Sequence, residues 1–110
     1  MKKLFTNYNL ELDKNERKLL TTFSKQVLKQ TEADDKFFGE NKAFGSILQK
    51  LNSDGEVKLT KDERTRLKNQ LEQNVKYLKK GSDKAWFIKK WLFGSMLKQY
   101  NNLLKNHFQN

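Results

Sequence analysis

The sequence predicts an all-α fold: a small bundle of about four helices, the C-terminal one central, with a minor short β-hairpin. Three observations carry that expectation. The 110 residues contain no proline, so no helix is interrupted by a residue that lacks the N–H and clashes with the preceding turn. Apolar residues recur at three- and four-residue spacing along most of the chain. Cap residues stand in front of those runs. At this length a single helical domain spanning residues 1–110 is expected.

Residues 1–12 alternate loosely through Leu4, Tyr8, Leu10 and Leu12, which suits a short extended arm. Asp13 with Glu16 three residues on has capping-box spacing. Leu19, Leu20, Phe23, Val27 and Leu28 then mark one face of a helix running from about Lys14 to Lys29. Thr31 or Asp34 opens the next segment, whose apolar stripe reads Phe37, Phe38, Phe44, Ile47, Leu48 and Leu51. Gly39 and Gly45 lie inside it, each costing up to ~1 kcal/mol relative to alanine. The expectation is therefore a break near Gly39-Glu40-Asn41. Asn52-Ser53-Asp54-Gly55 has turn composition.

Val57-Lys58-Leu59 suits a brief strand or an extended entry. Thr60 and Glu63 form a T-x-x-E capping box. Leu67, Leu71, Val75 and Leu78 line a narrow face of the third long helix, which is expected to end at Gly81. Ser82 would cap the last helix. At 100° per residue its apolar set runs from Ala85, Trp86 and Ile88 through Leu92, Phe93, Met96, Leu97, Tyr100, Leu103 and Leu104 to Phe108. That set covers about 200° of arc, wider than a surface helix needs. The pair reads as an antiparallel αα-hairpin more than as a helix-turn-helix.

Charge is the strongest functional signal. The net charge is +10, with +2 over residues 1–55 and +8 over 56–110. Such asymmetry favours a polyanionic partner, although surface lysine also serves solubility. Lysine outnumbers arginine by twenty to three, which favours phosphate contact over base reading. Two sets of residues follow. Lys84, Phe87, Lys90, Trp91 and Lys98 place large aromatics among lysines on the last helix, the composition of a stacking platform or a protein hot spot. Arg64, Arg66, Lys76, Lys79 and Lys80 form a basic row leading into the turn expected at Gly81.

Other chemistries find little support. The chain has no cysteine and a single histidine, His107, so thiolate zinc sites, cysteine nucleophiles and histidine triads lack their parts. No phosphate loop or dinucleotide fingerprint occurs. Lys50 to Lys61 has the outline of a calcium loop around Gly55, but lysines stand at both ends where oxygen ligands are needed. Asp34-Asp35 and Asp62-Glu63 fit helix N-termini. No enzyme activity, metal or cofactor is expected. The apolar run after Lys2-Lys3 stops at Leu4-Phe5, too short for a signal peptide, and a cytoplasmic location is the default. The expected function is that of a non-enzymatic accessory or inhibitor protein, its composition suiting a phage or mobile element. It would dock on an acidic protein or nucleoprotein surface. Direct, weakly sequence-specific binding of DNA or RNA is the alternative. Self-association through Phe87 and Trp91 is a further reading, and a membrane partner is disfavoured.

Overall fold

A computed structural model describes residues 8–53, 55–84 and 90–108, with side chains described for 9–53, 55–79 and 97–108. The fold class is all-α with a small two-stranded antiparallel sheet. The elements are β1 (Tyr8–Leu10), α1 (Lys14–Thr31), a 3-10 turn (Asp35–Phe37), α2 (Phe38–Asn52), β2 (Val57–Leu59), α3 (Lys61–Lys84) and α4 (Lys90–His107). The chain divides into two compact units, residues 1–66 and 67–110.

In the first unit the extended arm finds its partner far along the chain. Tyr8 pairs with Leu59, Asn9 with Lys58 and Leu10 with Val57. The expected hairpin near residues 56–59 is thus a long-range ladder, not a local turn. Strand alternation buries Val57 and Leu59 and leaves Lys58 exposed. The capping box at α1 forms as read. The Glu16 N–H donates to Asp13 Oδ1 at 2.7 Å, and the Asp13 N–H donates to Glu16 Oε1 at 3.1 Å. Helix α1 buries Leu20, Phe23 and Val27, and α2 buries Phe44, Ile47 and Leu51. Phe23 and Phe44 meet edge to face, with ring centroids 6.5 Å apart. This geometry adds about 0.5–1.5 kcal/mol to the area the rings bury.

The expected break at Gly39-Glu40-Asn41 is absent. The 3-10 turn ends at Phe37 and α2 runs unbroken through both Gly39 and Gly45. The interruption falls earlier, where Asp34 accepts from the Lys36 N–H at 3.1 Å. Asn41 explains why α2 holds through its weak first turn. Its side-chain amide donates to the Leu28 carbonyl at 3.1 Å and to Thr31 Oγ1 at 3.0 Å. One side chain thereby satisfies a carbonyl in the last turn of α1 and pins the start of α2.

The T-x-x-E box at α3 also forms, with Glu63 N–H to Thr60 Oγ1 at 3.1 Å and Thr60 N–H to Glu63 Oε1 at 2.9 Å. The helix does not end at Gly81. It continues to Lys84 and takes Ser82 inside it, so Ser82 is not the cap of the last helix. A glycine costs only about 1 kcal/mol in a helix interior, too little by itself to end a helix. In the second unit Leu67, Leu71, Val75 and Leu78 of α3 are buried, as are Tyr100 and Leu103 of α4 and Phe108 just past its end. Asn74 hydrogen-bonds Tyr100. A shallow cavity of about 360 Å³ is shared by Lys68 and Glu72 with Asn101, Leu104, Lys105 and Phe108. Early α3 thus meets late α4, an antiparallel pair as expected, although the helix does not turn at Gly81.

Candidate binding surface

Arginines bear first on what the surface can do, because they are scarce. Arg17 rises from α1 and its Nη1 donates to the carbonyls of Leu51 at 2.6 Å and Ser53 at 3.0 Å. Its Nη2 donates to the Gly55 carbonyl. The turn that resembles part of a calcium loop therefore converges its carbonyls on a guanidinium. Gly55 has φ +88°, a backbone conformation that favours glycine. Arg66 donates to Glu40 at 2.6 Å and to Asp62 at 2.9 Å. Those two carboxylates hold its guanidinium above its already high pKa. Arg66, expected in the basic row, is therefore occupied in bracing α2 to the first turns of α3. Arg64 is half-buried.

Three of the four paired acids are occupied too. Glu63 is nearly buried and accepts from Lys50 Nζ at 2.5 Å, Ser46 Oγ at 2.6 Å and the Thr60 N–H. Burial pushes its carboxyl up, but the bonds from Lys50, Ser46 and Thr60 together hold it below the ordinary carboxylate range. Asp62 braces Arg66, and Asp34 caps the 3-10 turn. Each of these three carboxylates serves a helix start.

The basic surface belongs to the second unit. Residues 67–110 carry nine lysines and no arginine against two acids, Glu72 and Asp83. Lys76, Lys79, Lys98 and Lys105 are exposed, and Lys68 is half-buried beside the shared cavity. Of the row expected from sequence, Lys76 and Lys79 lie on the outer surface of α3. Lys80 is in the same helix, its side chain outside the described residues. Of the aromatic set, Lys98 is exposed on α4. Lys84 closes α3, and Lys90 and Trp91 open α4, with their side chains outside the described residues. Phe87 lies outside the described residues altogether. The antiparallel register set by Asn74 and Tyr100 places Lys98 near the level of Lys76 on the neighbouring helix.

Three exposed aromatics were not in the expected site. Tyr77 is 69% exposed, Phe38 68% and Phe37 41%. The signal for Phe38 was present in the spacing. It stands six residues before Phe44, about 120° off the face that Phe44, Ile47 and Leu51 bury. Lys36 Nζ lies 5.3 Å from the Phe37 ring centroid, a cation–π contact at the surface. For Tyr77 the signal was its place between buried Val75 and Leu78, out of phase with the Leu67-Leu71-Val75-Leu78 stripe. Comparison with models of known protein families, with curated proteins and with solved structures gave no match.

Proposed function

We propose that the chain is a non-enzymatic basic helical binding protein that docks on a polyanionic partner through residues 67–110. One observation carries the reading: nine lysines against two acids in that unit, with Lys76, Lys79, Lys98 and Lys105 all exposed. A surface of this kind raises the local concentration of an anionic partner and gains by releasing the counterions that partner carries. Lysine suits such contacts, since its ammonium is a flexible point charge without the planar fork that reads a base. The arginines support the same view. Arg17 and Arg66, whose forks could read bases, are committed to carbonyls and carboxylates of the first unit. An acidic protein face, a nucleoprotein or a nucleic acid backbone all present the required chemistry. An accessory or inhibitory role toward such a partner is the form of this reading that rests on binding alone.

Titration of the intact protein with a labelled heparin fragment and with duplex DNA over a salt series tests this reading. Binding should weaken log-linearly with salt for both polyanions. Absence of binding to either at about 50 mM salt, where phosphate contacts are strongest, would reject it.

A further inference from the structure

Among the described residues of the second unit, Tyr77 is the large aromatic that stands out from the helix surface, at 69% exposed. Its neighbours are chosen for anions. Lys76 precedes it and is exposed. Lys79, two residues on, is exposed as well, and the helix continues through Lys80 to Lys84, whose side chains lie outside the described residues. Across the antiparallel pair, Lys98 lies near the same level. Gln73, four residues back, is exposed and polar. The ring is therefore an exposed aromatic plane on a surface that also carries exposed Lys76, Lys79 and Lys98.

We propose that Tyr77 is a stacking platform for a base of a single-stranded nucleic acid whose phosphates run along the lysines of α3 and α4. The proposal rests on the polyanion reading above and narrows it to one ligand. Duplex DNA hides its base faces within the stack, so an exposed ring gains nothing from it. A single strand offers unstacked bases to an aromatic ring and phosphates to cations, which is the pairing this surface supplies. The absence of arginine from residues 67–110 removes the usual bidentate reader of guanine. Binding should thus depend on strandedness and little on sequence. Stacking and phosphate contact also separate experimentally, because only the second releases counterions.

The test uses the full chain with labelled oligo(dT) and oligo(U) of about 20 nucleotides, a length that spans a site of this kind with room to spare. Duplex DNA and a heparin fragment serve as comparison polyanions, and fluorescence anisotropy is the readout. Tyr77→Ala should weaken single-strand binding by about fivefold to a hundredfold at fixed salt, the range for loss of one stacked base. It should leave the salt slope and the heparin affinity unchanged. Tyr77→Phe should bind as wild type, since the ring plane is kept. A stronger signal for oligo(dT) or for oligo(U) identifies the strand as DNA or RNA, and either supports the proposal. If Tyr77→Ala binds single strands as well as wild type does, or if duplex is bound more tightly than single strands, the stacking proposal is overturned while the polyanion reading stands. If no polyanion binds, both fall.

Discussion

Arg17 is the residue on which the first unit depends most visibly. It ties α1 to the turn after α2 by donating to three main-chain carbonyls, including two near a helix C-terminus that have no partner within the helix. Lysine cannot reproduce the fork. Arg17→Lys and Arg17→Ala should both lower stability to denaturant, the alanine variant by about 2–3 kcal/mol, as expected for charge-assisted bonds. A loss below 0.5 kcal/mol, the level of an ordinary surface change, would show that the turn holds itself. Glu63 gives a second residue-scale prediction. Its native carboxyl sits below its ordinary range because Lys50, Ser46 and Thr60 bond the charged form more strongly than burial opposes it. A depressed native pKa gives stability that is present above the unfolded value of about 4.3 and lost as pH falls through the native one. Wild type should therefore lose stability in that acid window, and Glu63→Gln should lose less there while being weaker at neutral pH. Parallel pH–stability curves for the two proteins would contradict this. Neither role was legible in sequence beyond the capping box, because the partners of Arg17 lie more than thirty residues away.

At the scale of elements, caps and periodicity were readable and glycine was misleading. Both capping boxes form where they were read, since each needs only residues three apart. The breaks expected at Gly39 and Gly81 do not occur, because a propensity cost of about 1 kcal/mol is a weak preference that a longer helix can carry. Gly45 makes this testable. A Cβ built there meets nothing within 4 Å, and α2 is continuous around it. Gly45→Ala should raise stability by about 0.5–1 kcal/mol. Gly39→Ala should gain less, because its Cβ would stand 3.4 Å from Arg66 Nη2, on the guanidinium whose Nη1 pairs with Glu40. Equal gains at both sites, measured by chemical denaturation, would contradict that account. The β1–β2 ladder was only half legible. Alternation marks Val57 and Leu59, but nothing local says that their partner is the N-terminal arm.

Across the whole molecule, charge divides as the contacts do. Residues 1–66 use Arg17, Arg66 and several acids internally, while residues 67–110 keep Lys76, Lys79, Lys98 and Lys105 at the surface. The asymmetry was legible as a count. Its division between occupied and exposed groups was not, since whether Arg66 is a docking group or a brace depends on Glu40, twenty-six residues away. No helix among the described residues is long and apolar enough to cross a membrane. Two charge-matched variants separate location from total charge. Lys76→Glu/Lys98→Glu/Lys105→Glu alters exposed lysines of the second unit, and Lys14→Glu/Lys18→Glu/Lys25→Glu alters exposed lysines of α1. Each lowers the net charge of +10 by six. The decisive measurement is the affinity of both variants for a labelled heparin fragment at fixed low salt, with helicity checked by circular dichroism. A loss of about tenfold or more is expected for the second-unit variant and a much smaller one for the α1 variant. Equal losses in two folded proteins would contradict it, because binding would then follow total charge and not this surface.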